Sequence, residues 1–286
     1  MSNKKNGVIN KELFFENLGD FWKYAMQESN AYNKCSRTDV SAWSGNVTWE
    51  EAKILALHGW KEGMKEIEKY RAKISPLITP KVMRPQPVYS HAGYVVDIGY
   101  FLANQPECFI HKQLEEKKEP GRIIKVVCSV SFSADISPET IIQRGAMICA
   151  LVEAIEYAGD RAEVICNNAT SIDGTKEHRE GQKKEEGWFE ISVVVKKANQ
   201  PLEMTDLAFC LAHPAMLRKM IFSVKELEGW ADFTRGGYGY PSAATDKGDI
   251  YIEEIFSGTV SDNQAIDWVL SQLENLGIKI EKDQKH

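Results

Sequence analysis

Three serines and an aspartate follow an apolar run near the middle of the chain. The run Arg122–Phe132 is rich in β-branched residues, and Ser129, Ser131 and Ser133 alternate along its end, with Asp135 two residues further on. Hydroxyl and carboxylate oxygens are the ligands that hard divalent cations prefer. The spacing therefore predicts an oxygen-lined loop, whose serines either bind a ligand or hydrogen-bond to the backbone.

A second group of candidates lies in a later apolar segment. Thr205 and Asp206 open a predicted helix, and His213 directly precedes Pro214. Asp206 would add a carboxylate to the serine oxygens, and His213 is a candidate acid–base group. The alternative for His213 is structural, with the ring bonded to backbone groups that Pro214 frees where it interrupts the helix.

A glycine- and aromatic-rich loop is the third candidate. Gly236–Pro241 (GGYGYP) follows Arg235 and contains Tyr238 and Tyr240. The loop lacks the glycine and lysine spacing of known phosphate-binding loops. Tyr and Arg are enriched at the hot spots of protein interfaces, so we expect either a contact loop for a partner or a loop packed on the core.

The elements that must position these residues follow from periodicity and caps. Arg122–Phe132 has the pattern of a strand buried on both faces, and Ser137 with Pro138 begins a helix that Gly159 ends. The later elements are the strands Arg161–Cys166 and Trp188–Lys196, the helix Thr205–Glu228 that Pro214 splits, the strand Asp249–Ile255 and a last helix capped by Ser261 or Asp262.

This β-α-β-β-α-β-α order predicts an α/β fold with an open, mostly parallel sheet and an antiparallel edge strand. A ferredoxin-like α+β sandwich has the same element string and is the alternative. The chain divides into a helical N-terminal segment (1–75), a proline-rich irregular connector packing on the core (76–120) and the α/β domain (121–286). The first segment includes a helix from Lys11 and a capping box at Thr48 and Glu51. In the connector, Gly93–Ala103 is apolar enough for a strand or a short buried helix.

The element order resembles that of the von Willebrand factor A domain, whose metal site is an Asp-x-Ser-x-Ser run at the end of the first strand. Ser131 and Ser133 match the two serines, and Ser129 stands where the family has its aspartate. The resemblance implies partner binding at the carboxyl edge of the sheet, often to AAA+ ATPases. It also implies a weakened Mg²⁺ site, because the carboxylate is missing unless Asp135 or Asp206 replaces it.

The whole chain is similar to an uncharacterised family of tailed-bacteriophage proteins. The shared features are the Trp49–Ala52 helix with Gly59 and Trp60, the Arg144–Ala146 helix, and Ala212–Ala215. This similarity implies a phage origin and expression in the bacterial host cytoplasm. It implies no known activity.

Composition excludes several classes of protein. The 286 residues carry 35 Lys and Arg against 41 Asp and Glu, a net charge of −6, which disfavours a nucleic-acid binder. The six cysteines form no CxxC pair, as expected of reduced thiols in the cytoplasm. No apolar stretch is long enough to cross a membrane, and no cofactor motif is found apart from the weakened Mg²⁺ site.

These observations together predict a non-enzymatic protein-binding module. Its partner, an AAA+ ATPase or a host defence protein, would bind where the loops Ser129–Ser137, Gln200–Asp206 and Gly236–Lys247 converge at the carboxyl edge of the sheet. One alternative is a metal-dependent hydrolase or transferase that uses Asp135, Asp206 and His213. Another is a structural or assembly protein of the virion.

Overall fold

The computed structural model describes residues 9–32, 34–78, 85–93, 95–114, 121–172, 187–234, 237–255 and 261–280. They form a mixed α/β fold with a six-stranded main sheet and a three-stranded second sheet. The strands are β1 (Asn10–Phe15), β2 (Pro85–Ser90), β3 (Val95–Val96), β4 (Phe109–Leu114), β5 (Ile123–Ser129), β6 (Arg161–Ser171), β7 (Trp188–Lys196), β8 (Tyr240–Ser242) and β9 (Ile250–Ile252).

The α-helices are short except for the one that follows β5. They are α1 (Leu18–Ala25), α2 (Cys35–Thr38), α3 (Trp49–His58), α4 (Met64–Ile74), α5 (Ile98–Leu102), α6 (Pro138–Tyr157), α7 (Met204–Ala212), α8 (Phe222–Leu227), α9 (Trp230–Phe233) and α10 (Asp262–Asn275). Single 3₁₀ turns cover Ala42–Ser44 and Ser75–Leu77, and a π-helical segment, Met216–Ile221, runs directly into α8.

The main sheet has the strand order β1-β7-β6-β5-β9. β5 runs parallel to both of its neighbours, β6 and β9, whereas β7 is antiparallel to β6 and β1 lies parallel beside β7. The short β8 adds an antiparallel pairing along the last residues of β6. The predicted α/β class with a mostly parallel sheet and an antiparallel edge strand is therefore confirmed.

The ferredoxin-like alternative is wrong. In that fold the two strands that flank the first helix are separated by another strand, as the split βαβ motif requires. Here the strands that flank α6 are direct neighbours, with Val126 of β5 opposite Val164 of β6. The long helix therefore makes an ordinary crossover between adjacent parallel strands.

The central strand is covered unequally on its two faces. Val126 and Cys128 lie in a core cluster to which α1, α3, α4, α6, α7, α8 and α10 all contribute, so that these helices lie on one side of the sheet. On the other side, Val127 packs in a small cluster with Ala244 and Tyr251, whereas Ile123 is 63% exposed. The prediction of burial on both faces holds for the end of β5 and is wrong for its beginning.

The N-terminal segment departs most from its predicted helix. Asn10–Phe15 forms β1, and α1 begins only at Leu18, where the Asn17 side chain accepts a hydrogen bond from the Asp20 amide. Alternate burial along β1 leaves Phe14 57% exposed while its neighbours face the core. Pairing with β7 has overridden a helical pattern, because a strand offered a backbone partner that local periodicity does not reveal.

Several cap predictions are confirmed. Thr48 forms its capping box at the start of α3, and Ser137 caps α6 through the Thr140 amide. Ser261 caps α10. The expected cap at Thr205 is wrong, because the N-cap of α7 is Glu203.

The proline-rich segment contains its own small sheet, with the order β2-β4-β3. The prediction of an irregular connector packed on the core is wrong for residues 85–114, since no side chain described there belongs to either core cluster. Gly93–Ala103 forms both a short strand and a short helix, and the apolar side chains described there are exposed rather than buried.

Within the described part of the chain, no single helix is both long and apolar enough to cross a bilayer. Together, α7 and Met216–Leu227 are long and apolar enough for a broken membrane span, with a bend of 69° between them. Their residues are largely buried in the core.

Candidate functional site

Ser129 and Ser131 are buried where β5 ends at the carboxyl edge of the sheet. The Ser131 Oγ donates to the Ala169 carbonyl (3.0 Å) and accepts from the Asn168 side-chain Nδ2 (2.9 Å) and the Ala169 backbone N–H (3.1 Å). One donor and two acceptor positions are all that a serine hydroxyl offers. Ser131 therefore has no lone pair left for a ligand. This agrees with the alternative in which the serines hydrogen-bond to the protein itself.

Arg144 from α6 occupies the region above these serines. Its guanidinium donates to the Ser129 carbonyl (2.9 Å) and to the Glu253 carbonyl, and it lies over the Phe132 ring at 5.4 Å. An arginine is always charged in proteins, so it repels a divalent cation placed here.

These residues do not fit the weakened Mg²⁺ site that the resemblance implies. Among the residues that the structure describes, no group of three or more His, Cys, Asp or Glu side chains is arranged to hold a metal ion. The buried Oδ1 atoms of Asn167 and Asn168 lack hydrogen-bond partners in that same part of the chain. As successive strand residues, these two asparagines point to opposite faces of the sheet and cannot share an ion.

The other members of the predicted loop are less buried. The Ser133 N–H donates to the Ile255 carbonyl (3.0 Å), which ties the loop to the chain beyond β9. Asp135 is exposed, and the Trp43 indole donates to the Ala134 carbonyl (3.0 Å) beside it.

Thr205 and Asp206 lie at the opposite edge of the sheet. Because β7 is antiparallel to β6, it starts beside Ser171, the carboxyl end of β6, and finishes with Lys196 opposite Val164. The chain then enters α7 at the amino edge, where burial raises the pKa of Asp206. The predicted convergence of Gln200–Asp206 with the serine loop is therefore wrong.

The aromatic loop is divided between the core and the surface. Tyr238 stacks on Phe222 with ring centroids 3.6 Å apart and donates to the Glu226 Oε1 (2.6 Å), and burial raises its pKa. Tyr238 is therefore packed in the protein interior, which was the alternative to a contact with a partner. Tyr240 is 57% exposed at the start of β8, and Arg235 lies outside the described residues.

The π-helical segment and α8 bury four charged side chains. Arg218 donates to the Trp43 and Ile136 carbonyls, and Lys219 donates to the Ser36 and Asp39 carbonyls. Burial lowers the pKa of Arg218 to about 10 and lowers that of Lys219. Backbone oxygens thus replace water around each cation.

The same pattern continues one turn further on. The fully buried Lys225 donates to the Thr170 Oγ1 (2.8 Å) and the Tyr238 carbonyl (3.0 Å), and burial holds its pKa well below the usual range. Glu226 accepts from the Ser36 N–H (2.9 Å), the Ser36 Oγ (2.7 Å) and Tyr238. The sequence signal that could have identified this network is the presence of charges inside an otherwise apolar run.

His213 lies at the break between α7 and the π-helical segment and is 7% exposed. Its Nδ1 accepts from the Ala215 N–H (3.1 Å), and its ring meets Trp60 edge-on at 4.8 Å. Burial lowers its pKa to about 4, so the ring is neutral at physiological pH. The bond to a backbone group freed at Pro214 agrees with the structural alternative, but the ring also lines a cleft of about 500 Å³.

An exposed apolar surface on the second sheet was missed by sequence reasoning. Six large apolar side chains between Val95 and Leu102, which we call the Val95–Leu102 patch, are 40–78% exposed: Val95, Val96, Ile98, Tyr100, Phe101 and Leu102. A pattern search detects their apolar character, but the lack of a covering layer appears only in three dimensions.

Polar contacts fix the backbone beneath this patch. Asp97 caps α5 by accepting from the Gly99 (2.9 Å) and Tyr100 (3.2 Å) amides. It also accepts from the Tyr89 hydroxyl (2.9 Å), and Tyr89 stacks on Tyr100 with centroids 4.6 Å apart. The exposed side chains therefore project from an ordered support.

Comparison with known proteins places the chain in one family. No curated protein and no solved structure matches it. The sequence model of a domain of unknown function, DUF7192, matches residues 5–280. That span includes both sheets, the serine loop, the buried charged network and the Val95–Leu102 patch. The chain therefore belongs to the DUF7192 family.

Proposed function

We propose that this protein is a non-enzymatic protein-binding module and that the Val95–Leu102 patch is its main docking surface. The carrying observation is the exposure of six large apolar side chains within eight residues. Clustered apolar surface of this kind marks interaction sites, whereas single exposed apolar residues are ordinary.

The backbone around the patch favours the same function. β3 pairs with β4 on one side, and no other strand among the described residues pairs with its second side. β2, at the opposite edge, carries Pro85 and Pro87, which have no N–H to donate. A partner strand would therefore add beside Val95–Val96, with its apolar side chains on those of α5.

The proposal for the partner's identity rests on resemblance alone. The resemblance to von Willebrand factor A domains supports an AAA+ ATPase as the partner, and the resemblance to phage proteins supports a host defence protein in the bacterial cytoplasm. The order β7-β6-β5-β9, with β7 antiparallel, agrees with the first resemblance, whereas the helices on one side of the sheet differ from a doubly covered fold. Tyr240, exposed at the carboxyl edge, is a further contact candidate.

The hydrolase alternative loses its geometric support. Asp206 is in the first turn of α7 and His213 follows its last turn. Six helical residues lie between them, which separates them by about 10 Å along the axis. Asp135 lies in the serine loop, at the other edge of the sheet from Asp206.

The test compares capture by the wild type with capture by a patch variant. Tagged protein, the variant Phe101→Asp/Leu102→Asp and the control Tyr32→Asp/Tyr157→Asp, all at exposed positions, are used to capture proteins from bacterial host lysate. We expect the wild type and the control to retain the same partner and the patch variant to lose it, because a buried charge is costly in an apolar interface.

Quantitative mass spectrometry of the captured fractions is the measurement. Equal capture by the patch variant and the wild type would contradict the assignment of the patch. Capture by the wild type no greater than by the tag alone would contradict the protein-binding function.

A further inference from the structure

A second candidate surface is the cleft above His213, which is separate from the Val95–Leu102 patch. It lies between the beginnings of α3 and α6, and its volume of about 500 Å³ is within the range of ligand-binding clefts. Val47, Ile54, Leu55 and Ile142 form much of its wall. Ile54 is 58% exposed, so apolar surface is available to a ligand.

The His213 ring gives this cleft a fixed hydrogen-bond donor. The Nδ1 accepts from the Ala215 N–H, so a neutral ring must carry its hydrogen on Nε2. No described residue is a hydrogen-bond partner of that Nε2, although His213 is only 7% exposed and lines the cleft. A ligand in the cleft must therefore offer an acceptor atom.

The ring cannot easily turn away from this position. Trp60 meets it edge-on, and Phe209 packs on it with centroids 5.5 Å apart. Gly45, at φ +90°, approaches so closely that a Cβ there would lie 2.8 Å from the His213 Cε1. The donor is thus held in place before any ligand arrives, which lowers the entropy cost of binding.

Three carboxylates line the same cleft and are exposed: Glu51, Glu62 and Glu139. Glu51 is engaged by the Thr48 N–H (2.8 Å) and hydroxyl (2.9 Å) of the capping box. Glu62 and Glu139 have no ion-pair partner among the described residues. Their negative charge favours a cationic ligand and repels an anionic one.

We propose that this cleft binds a lysine or arginine residue in a segment of a protein partner. The backbone carbonyl of that residue accepts from the His213 Nε2–H, its aliphatic stem lies along Ile54 and Leu55, and its charged end reaches Glu62 and Glu139. A free polyamine has the charge and the stem but no acceptor oxygen. Because the His213 Nε2–H needs an acceptor oxygen, the cleft should bind a peptide more tightly than a polyamine.

The test uses the purified 286-residue protein and the synthetic peptide acetyl-(Ala-Lys)₄-amide. Calorimetry gives the Kd, and the Trp60 indole N–H resonance reports whether the cleft is occupied. We expect the basic peptide to bind and to shift that resonance. Acetyl-(Ala-Glu)₄-amide should do neither, and spermidine should compete only weakly.

Charge-neutral variants test the acidic groups without disturbing the core. Glu62→Gln/Glu139→Gln should weaken binding about five-fold, the effect of losing two exposed ion pairs. The control Glu28→Gln/Glu68→Gln removes the same charge from exposed positions outside the cleft and should bind as the wild type does. His213→Phe should also weaken binding, and His213→Gln, which keeps an N–H donor, should restore part of it.

Three binding results would overturn the proposal, as would one result in competition. The three are no binding of the basic peptide at millimolar concentration, equal binding of the acidic peptide, and unchanged binding by Glu62→Gln/Glu139→Gln. Complete displacement by an equal concentration of spermidine would show a polyamine site instead. Each result leaves the test of the Val95–Leu102 patch unaffected, because that test uses other residues.

Discussion

Two regions of this molecule reverse the usual distribution of residue types. The π-helical segment with α8 buries Arg218, Lys219, Lys225 and Glu226, whereas the Val95–Leu102 patch exposes apolar side chains. Charged residues are almost never fully buried unless they are paired, and contiguous exposed apolar surface is uncommon. Each region therefore requires its own physical explanation.

The difference lies in whether the fold itself supplies partners. Every buried charge in the first region has hydrogen-bond partners, most of them backbone carbonyls or hydroxyls held by neighbouring elements. The side chains of the patch belong to neither core cluster. The hydrogen bonds made within the protein indicate a structural role for the buried charges. The lack of core packing around the patch favours a role in binding.

The largest expected effect breaks the buried network. Glu226→Ala leaves the Ser36 N–H, the Ser36 hydroxyl and the Tyr238 hydroxyl without their acceptor. Removing one member of a buried charged network costs about 4 kcal/mol in unfolding free energy. Urea unfolding measures this loss, with Glu226→Gln, which retains one acceptor oxygen, as the milder control. A Glu226→Ala protein as stable as the wild type would remove the structural explanation for the buried charges.

The next effect concerns the pH dependence of His213. Its folded pKa of about 4 lies below the unfolded value of 6.5, so the unfolded chain takes up the proton first as the pH falls. The contribution of neutral His213 to the unfolding free energy is fully present above pH 6.5 and is lost progressively down to pH 4. At about 1.4 kcal/mol per pKa unit, the loss is about 3 kcal/mol, less any attraction from Glu51, Glu62 and Glu139 across the cleft.

Unfolding free energies at pH 7 and pH 4.5 measure this dependence. Because carboxylates elsewhere also titrate in this range, the comparison is made with His213→Phe, which lacks the group. We expect the wild type to lose more stability on acidification than the variant. Equal losses in the two proteins would show that His213 is not a buried neutral ring.

The smallest expected effect on stability is that of a substitution in the Val95–Leu102 patch. Phe101→Asp/Leu102→Asp replaces exposed side chains that make no core contact, so the unfolding free energy should change by less than about 0.5 kcal/mol. Thermal and urea unfolding of the variant and the wild type provide the measurement. A loss of several kcal/mol would mean that the patch is packed inside the protein and is not free to bind a partner.

The sequence predicted those elements whose signals are local. The apolar run that becomes β5, the capped helix α6 and the strand β7 were identified because burial pattern and caps act within a few residues. The strand β1 was missed, since its stability comes from pairing with β7 more than 170 positions further along the chain. Local periodicity carries no information about such a partner.

The candidate site shows the same limit. Ser129 and Ser131 were correctly placed at the end of a buried strand, yet the Arg144 guanidinium donates to the Ser129 carbonyl there. Asp206 was expected beside them, although the antiparallel course of β7 carries it to the other edge of the sheet. Strand direction depends on pairing with distant residues, so spacing along the chain could not decide which side chains meet.

By itself, the sequence determined the fold class, the main elements between β5 and the last helix, and several caps, because these depend on hydrophobic periodicity and on hydrogen bonds between near neighbours. Only the tertiary structure decided that charged residues are buried beside fixed acceptors, that the His213 ring lines a cleft and that an apolar segment remains uncovered. Those outcomes depend on which residues that are distant in sequence come into contact, and local sequence patterns do not specify these contacts.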